Sequence, residues 1–435
     1  MPTAATASAV LFSPVGRRLA HSSLGFHAAY AGLAPCERAT LPDGASPPRT
    51  VETGRSLGEF DCVFASLAWE PEVLALAAAF RASGLTPGRA ARKSSEPLVV
   101  GGGPVTLSNP YLLAAVCDAV FVGEADLAFP ALRAALDGAA SRDDALVRLA
   151  AVPGTLVPAV HGRDAAAPAP VVAPASCLPA RTVLADEPNQ FGDAFVVEVG
   201  RGCPRRCTFC VVRGGERRAS FVPADRVLDA VPGRARRVGL LGAAVSDHPR
   251  LAAVVEALVA RGAAVTLGSV RADRVNPVLL RVLVAGGLRT LTIGADGASD
   301  AVRAAIRKDI AAADLERCAA LAREHGIGRL KLYVMVGLPD ETGADLDELG
   351  ALVRRLSSRV RVSVSVSPFV PKQGTPLASA PFAGVRELKR RIAAVRRAIG
   401  SAAVVKATSP RDAGLEWRLS HARGGGTGLP EIDAL

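Results

Sequence analysis

Short runs of apolar residues alternate along the chain with longer segments in which apolar residues recur every three to four positions. In residues 1–150, the runs SAVLFSP, DCVFASLAW, PLVVGGG and DAVFVGE predict buried strands. The segments EVLALAAAFRAS and NPYLLAAVC between them predict helices. This α/β alternation favours a Rossmann-like, doubly wound parallel sheet, whose ligands would bind at the carboxyl ends of the strands.

A second alternation covers residues 191–400, after a Pro- and Ala-rich stretch, 151–190, that predicts a linker. Its six predicted strands, each followed by a helix, are AFVVEVGRG, RRVGLLGAA, AAVTLGSVRAD, LRTLTIGAD, RLKLYVMVGLP and RVSVSVSPF. A complete eight-fold barrel needs two more units, so we expect a partial (β/α)6 barrel with its chemistry at the carboxyl strand ends. The Gly-rich residues 401–435 predict a mobile tail.

Composition narrows the class of protein. The 435 residues suffice for two or three domains, and 49% hydrophobic residues exclude extended disorder. No apolar run of about 20 residues lacks charge or Pro, so no membrane span is expected. Eight scattered cysteines do not form a disulfide framework, which favours a reducing, cytoplasmic location. The net charge of +11 comes without a basic block interleaved with aromatics, so a solvated Arg-rich surface is favoured and a nucleic-acid partner is neither predicted nor excluded.

The stretch GRGCPRRCTFC follows the first strand of the second alternation and carries Cys203, Cys207 and Cys210 in a C-x3-C-x2-C pattern. A structural zinc site normally has four ligands in two pairs, and no second pair is present. A disulfide would leave an odd thiol. Three thiolates in one loop suit a [4Fe–4S] cluster with one iron open to a small chelating molecule.

This loop, with an aromatic residue before its last cysteine and a strand before it, resembles the radical S-adenosylmethionine (SAM) superfamily. The resemblance implies that the three cysteines bind the cluster and that its open iron chelates the methionyl part of SAM. It also implies reductive cleavage of SAM to methionine and a 5′-deoxyadenosyl radical. SAM and an electron donor such as flavodoxin or ferredoxin are the implied partners, while the substrate stays unidentified.

The resemblance further implies SAM contacts at the strand ends. Gly242 and Ala243 stand where relatives carry Gly-Gly-Glu, and Asp296 stands where relatives carry Glu. The implied contacts are Phe209, Gly242, Ala243, Ser269, Arg271, Asp296 and Gly337.

Several of these strand-end positions have structural alternatives. Arg271 could only pair with Asp273, Asp296 could cap the following helix, and Gly337 could only form a tight turn. The polar residues at the same ends without an assigned role are Ser246, Asp247, His248 and Glu341.

Phrases over residues 8–400, among them PLVVGGGPVTLSNPYLLAAVCDAVFVGEAD, resemble radical SAM proteins with an N-terminal cobalamin-binding-type domain. The cobalamin contacts implied by this resemblance are Ser66, Gly102, Gly103, Gly123 and Glu124. The D-x-H-x-x-G motif, whose His ligates cobalt in base-off enzymes, is missing. Cobalamin held without a protein imidazole and a domain that keeps the fold without the cofactor both stay open.

The leading hypothesis is therefore a radical SAM enzyme, with methyl transfer as the natural reaction if cobalamin binds. One alternative is a methylthiotransferase-like modifier of tRNA or protein, in which Cys36, Cys62 and Cys117 would form a second triad. The other is a non-catalytic relative that serves as a binding module, against which the complete Cys203–Cys210 triad argues.

Overall fold

The computed structural model describes residues 7–44, 46–162, 164–185, 187–214 and 219–423. They form two compact units: Met1–Asp193 together with Arg418–Leu435, and Ala194–Trp417. Within the described ranges, no helix is long and apolar enough to cross a membrane.

The first unit contains a six-stranded sheet in the order β2-β1-β3-β4-β5-β6. The strands are β1 (Ala9–Gly16), β2 (Glu37–Leu41), β3 (Cys62–Ser66), β4 (Leu98–Gly102), β5 (Ala119–Phe121) and β6 (Thr155–Leu156). The helices are α1 (Arg17–Ala20), α2 (Leu24–Gly32), α3 (Glu72–Ala82), α4 (Pro110–Ala114), α5 (Phe129–Asp137), α6 (Arg142–Ala150) and α7 (Pro158–His161). Strands β1 to β5 are parallel and β6 is antiparallel to β5. The order of β1 to β5 is that of a doubly wound fold, which confirms the predicted fold class.

Residues 151–190 were expected to form a linker, but they pack on the first unit. Residues of this stretch form β6 and α7, and Val171 makes a parallel bridge to Gly123. Leu156 and Leu178 are buried. The Pro-rich composition ends regular elements early, yet enough apolar side chains remain to hold the stretch against the sheet.

The second unit contains two parallel sheets and a short hairpin. Its strands are β7 (Phe195–Glu198), β8 (Gly200–Arg201), β9 (Ser220–Phe221), β10 (Arg237–Leu241), β11 (Ala264–Leu267), β12 (Thr290–Asp296), β13 (Arg329–Val336), β14 (Arg361–Pro368) and β15 (Val404–Ala407). The helices from here on are α8 (Val211–Gly214), α9 (Ala224–Ala230), α10 (Leu251–Ala260), α11 (Pro277–Ala285), α12 (Asp300–Ala305), α13 (Ala312–Glu324), α14 (Gly343–Ser357), α15 (Val385–Ile399) and α16 (Pro410–Ser420).

The strand orders are β11-β10-β7 and β12-β13-β14-β15, and the bridge between Val270 and Ile293 joins the end of the first sheet to the second. The six predicted β/α units are therefore present as an open parallel array, in agreement with a partial barrel. The predicted tail is wrong for 401–423, because this part forms β15 and α16; residues 424–435 lie outside the described residues. A strand of four residues and a short helix are a weaker sequence signal than a long apolar run.

Candidate functional site

The cysteine loop begins directly after β7 and β8, at the carboxyl end of β7. Cys207 is buried, Cys203 and Cys210 are half-buried, and all three thiols are free. The Thr208 amide donates a hydrogen bond to the Ile306 carbonyl oxygen (3.0 Å), and the Leu377 amide donates to the Thr208 carbonyl oxygen (3.3 Å). The loop is thus fixed against the end of α12 and the segment after β14.

The three thiols influence one another electrostatically. Burial raises the pKa of Cys203 and of Cys207, and the neighbouring Cys210 raises both further. Lys308 and Arg271 act in the opposite direction on Cys207. Three adjacent thiols can all lose their protons only if a positively charged group stabilises the thiolates.

A [4Fe–4S] cluster fits the donor chemistry of this loop. The second unit has one further cysteine, Cys318 in α13, which is completely buried in the apolar core and so is not accessible to a cluster. In the described part of the chain, no three His, Cys, Asp or Glu side chains, Cys203, Cys207 and Cys210 among them, converge closely enough to hold a metal ion. The fit therefore rests on three soft donors in one anchored loop.

An ion network ties the cysteine loop to the ends of β10 and β11. Arg205 bonds to Asp247, Arg274 Nε lies 3.0 Å from Asp247 Oδ1, and Arg205 lies 3.9 Å from Asp273. Burial alone would raise the pKa of Asp247, but the hydrogen bond and charge of Arg205 hold it below its ordinary value. Arg271 Nε donates to Asp273 Oδ1 (2.9 Å). Arg205 therefore positions the loop in addition to placing a positive charge beside Cys203.

Asp296 ends β12 with a left-handed backbone (φ 62°) and accepts a hydrogen bond from Lys308 Nζ at 2.5 Å. It does not cap α12, because the Ser299 hydroxyl fills that position by accepting from the Val302 amide. Arg307 and Asp309, on either side of Lys308, are also left-handed (φ 52° and 50°). Left-handed residues other than Gly are uncommon and tend to gather at functional sites.

Arg303, which is 1% exposed, hydrogen-bonds to the backbone that follows Asp296 and to the backbone that follows Lys308. Its guanidinium donates to the carbonyl oxygens of Ile310 (2.7 Å), Gly297 (3.0 Å) and Ala298 (3.3 Å), and to Asp300 (2.6 Å). Sequence reasoning missed Lys308 and Arg303, because nothing in ASDAVRAAIRKDI signals a left-handed loop clamped by a buried arginine.

Gly337 forms a tight turn after β13 with φ 86°. Its amide donates to Glu341 Oε1 (2.9 Å), which also accepts from Arg391 (2.6 Å). Burial raises the pKa of Glu341, although Gly337 and Arg391 oppose the shift. Gly337 therefore forms the tight turn that was weighed as its structural alternative. Its amide is already hydrogen-bonded to Glu341.

Phe209 packs in an apolar cluster at the carboxyl ends of β13 and β14. The other members of this cluster are Val302, Ile306, Met335, Leu338, Phe369, Leu377 and Ala380. Such a surface suits an aromatic ring of a ligand.

The remaining implied SAM contacts lie at the ends of two neighbouring strands. Gly242, Ala243 and Ser269 are exposed at the ends of β10 and β11. A Cβ on Gly242 would lie 2.6 Å from the Gly200 carbonyl oxygen, so this glycine permits a close approach of backbone to backbone. His248 is buried, and both of its ring nitrogens have partners, the Val222 carbonyl and the Arg250 amide, so it has a structural role.

The implied cobalamin contacts follow the carboxyl edge of the first sheet. Ser66, Gly102, Gly103, Gly123 and Glu124 are all partly exposed. The Glu124 amide donates to the Val171 carbonyl oxygen (2.8 Å) and the Glu124 carboxylate accepts from the Ala173 amide (3.0 Å). The five residues are thus accessible to a ligand at this edge, and Glu124 is in addition held in place by the segment that contains Val171 and Ala173.

Two histidines near this edge, His21 and His27, are buried. Both ring nitrogens of His27 face backbone groups, the His21 carbonyl (3.0 Å) and the Val183 amide (3.4 Å). Nδ1 of His21 lies 3.5 Å from Glu187. His27 therefore has no free ring nitrogen for cobalt, and the ring of His21 is enclosed by the chain's own residues.

The second cysteine triad weighed from the sequence has the wrong environment. Burial raises the pKa of Cys36 and Cys117 to about 12 and also raises that of Cys62. Cys62 belongs to β3 and Cys117 follows α4. Because Cys62 and Cys117 are completely buried in the packed first unit, its described part has no exposed loop of thiols for a second cluster.

Comparison with known proteins gives two family matches. Residues 197–353 match the radical SAM superfamily, and residues 33–158 match the N-terminal region of radical SAM proteins. An uncharacterized protein of Methanocaldococcus jannaschii is 34% identical over 199 residues, which is 43% of each chain.

Among solved structures, the cobalamin-dependent SAM radical enzyme OxsB with aqua-cobalamin and SAM bound is similar over 82% of this chain and 53% of that chain, with 14% identity and a TM-score of 0.55. Its apo form gives a TM-score of 0.57 with 13% identity, over 82% of this chain and 52% of that one. At such identity the likeness concerns the fold. The chain spans about half the length of OxsB, and its match covers less than half of the archaeal relative.

Proposed function

Because this chain belongs to the radical SAM superfamily, we propose that it is an enzyme that binds SAM at a [4Fe–4S] cluster held by Cys203, Cys207 and Cys210. The observation that carries the proposal is the loop of three free thiols, fixed through Thr208 at the carboxyl end of β7. When bound, the cluster supplies the one-electron reduction of SAM that starts radical chemistry in this superfamily.

The chain's own residues divide the remaining tasks. The Arg205–Asp247 pair holds the cysteine loop to the end of β10. Phe209 and its apolar neighbours offer a surface for the adenine. Lys308 and Asp296 place an ammonium and a carboxylate beside Cys207, where they would meet the charged methionyl groups of SAM.

The proposal extends to cobalamin at the first unit, with the corrin or its nucleotide tail at Ser66, Gly102, Gly103, Gly123 and Glu124 and without a protein imidazole on cobalt. These residues support it because they remain partly exposed at the carboxyl ends of β3, β4 and β5. OxsB, which shares the fold, was solved with aqua-cobalamin bound. Methyl transfer to a carbon atom of a still unidentified substrate is the reaction this pairing of cofactors favours, with an electron donor such as flavodoxin or ferredoxin.

Anaerobic reconstitution tests the proposal. We expect ~4 irons per chain, absorbance near ~400 nm, and 5′-deoxyadenosine formed from SAM under dithionite. Cys207→Ala should lose all three signals, whereas Cys177→Ala, a half-buried thiol of the first unit, should keep them.

The outcomes separate the alternatives. A wild-type chain without iron, or a Cys207→Ala variant that keeps its colour, would overturn the ligand assignment. About eight irons per chain would indicate a methylthiotransferase-like second cluster, and iron without SAM cleavage would indicate a binding module. Protein purified from a cobalamin-replete host without cobalamin would refute the second cofactor alone.

A further inference from the structure

The strands β13 and β14 alternate between buried and accessible residues along their whole length. In β13, Leu330, Leu332 and Val334 belong to the apolar core under the helices, while Lys331 and Tyr333 point to the opposite face. Parallel strands covered on both faces are apolar throughout. The alternation therefore marks a face that is not filled by the protein's own core.

The strand register arranges the residues of this face in two rows. One row contains Gly294, Tyr333, Ser365 and Lys406, and the deeper row contains Thr292, Lys331, Ser363 and Val404. Paired residues of neighbouring strands lie about 4.8 Å apart, so each row spans about 14 Å. We call these residues the lysine–serine face.

The charge of the lysine–serine face is positive. Lys331 Nζ donates to the Tyr333 hydroxyl (3.1 Å) and lies 4.7 Å from the centre of its ring. Within the described ranges, neither Lys331 nor Lys406 forms a salt bridge with a carboxylate of the chain. Asp296, at the edge of the face next to Gly294, is taken by Lys308.

The face leads toward the cysteine loop. Met335, two residues beyond Tyr333 in β13, packs in the cluster that contains Phe209. At about 3.3 Å per residue, Lys331 lies roughly 13 Å below Met335 along the strand. A molecule anchored at Lys331 would thus extend along β13 toward Met335 and the cysteine loop, where radical chemistry would begin.

We propose that the lysine–serine face binds the substrate, and that the substrate carries an oxyanion, a carboxylate or phosphate, at the end remote from the reacting carbon. Lys331 and Lys406 neutralise the oxyanion, and the Tyr333, Ser363 and Ser365 hydroxyls add hydrogen bonds that fix its orientation. The inference rests on the proposed function for its reaction, but anion binding itself needs neither cluster nor SAM.

Calorimetric titration of the full, cluster-free chain with sodium pyrophosphate and, separately, with citrate tests the inference at low ionic strength. We expect one of the two to bind, pyrophosphate for a phosphate-bearing substrate or citrate for a carboxylate. Binding should weaken at least fivefold in Lys331→Met and in Lys331→Gln, and become undetectable when Lys406→Met is added. Lys389→Met, on the exposed surface of α15, is the matched control and should bind like wild type.

The inference is overturned if neither anion binds, if both Lys331 variants bind like wild type, or if Lys389→Met weakens binding equally. Amide exchange over β13 shows that the variants are folded. Iron loading of the wild type is measured separately, so a failure of the cluster assignment is distinguishable from a failure of anion binding.

Discussion

At the scale of single residues, Arg303 carries more of the candidate site than its position in a helix suggests. Its guanidinium is buried. Among the described residues it bonds to one carboxylate, that of Asp300, and to backbone carbonyls of the loops on both sides. Removing a donor from buried carbonyls costs about 1–3 kcal/mol each. The loop with the left-handed residues Arg307 and Asp309 would then lose one of its anchors, the bond to the Ile310 carbonyl, while Arg271 would still donate to the Asp309 carbonyl.

We therefore predict that Arg303→Met raises amide exchange over residues 306–310 by at least tenfold, equivalent to about 1.4 kcal/mol, and weakens SAM binding. Arg317→Met is the matched control, because Arg317 likewise donates to backbone carbonyls, those of Val275 and Ala272. It should raise exchange over 272–275 instead. Equal exchange over 306–310 in both variants would contradict the role of Arg303.

The cysteines could be found from sequence because their spacing is itself the chemical signal. Lys308 could not, since its place beside Cys207 depends on left-handed backbone at Arg307 and Asp309, where the residue types give no hint of it. For Glu124 the sequence indicated a strand end, but it could not show that the Val171 carbonyl and the Ala173 amide bond to its amide and to one of its carboxylate oxygens.

At the scale of elements, the turn after β4 depends on a glycine. Gly103 has φ 106°, and a Cβ there would overlap the carbonyl oxygen of Leu67, which follows β3. The ends of β3 and β4 are thus packed backbone to backbone. This closeness positions Ser66 and Gly102 side by side at the edge of the sheet.

Gly103→Ala should lower the free energy of unfolding by about 3 kcal/mol, since strain and overlap add. Gly84→Ala separates the two causes: Gly84 is also left-handed (φ 74°) but open space surrounds it, so about 1 kcal/mol is expected. Urea titration measures both. Similar losses in the two variants would show that the approach to Leu67 has no energetic role.

The elements that sequence predicted best are those with long apolar runs, such as β1, β4 and β13. The strand β2, ERATL, was missed because it lies at the sheet edge and its charged residues pair elsewhere, Arg38 with Glu52 and Glu187. The strand β15, VVKA, was missed because four residues rarely stand out as a strand. Such strands are stable with only one face buried. A search for runs of apolar residues does not detect them.

At the scale of the whole molecule, the first unit is assembled from two separate stretches of chain. Asn109 Nδ2 donates to the carbonyl oxygens of Ser420 (3.1 Å) and Ala422 (2.7 Å), and the Ser420 hydroxyl donates to Glu70 (3.2 Å). Leu419 is completely buried. Residues 418–423 thus complete the surface beside the ends of β3 and β4.

Leu419→Ala should lower the stability of the first unit by about 3 kcal/mol, the usual result of emptying a buried leucine site. Leu127→Ala, at a 61% exposed leucine of the same unit, should change it by less than about 0.5 kcal/mol. Amide exchange over 104–113 reports on the first unit and exchange over 330–336 on the second. Faster exchange only in the second unit after Leu419→Ala would contradict the assignment of these residues.

This split assembly has a consequence for biosynthesis. Asn109 and Glu70 leave the ribosome early, but their partners follow only after the roughly 220 residues from Ala194 to Trp417 have been translated. At about 5–20 residues per second, that delay is roughly 10–45 s. The nascent first unit must wait through it with the Leu419 site unfilled, whereas the stretch with the cysteine loop is continuous and can finish folding first.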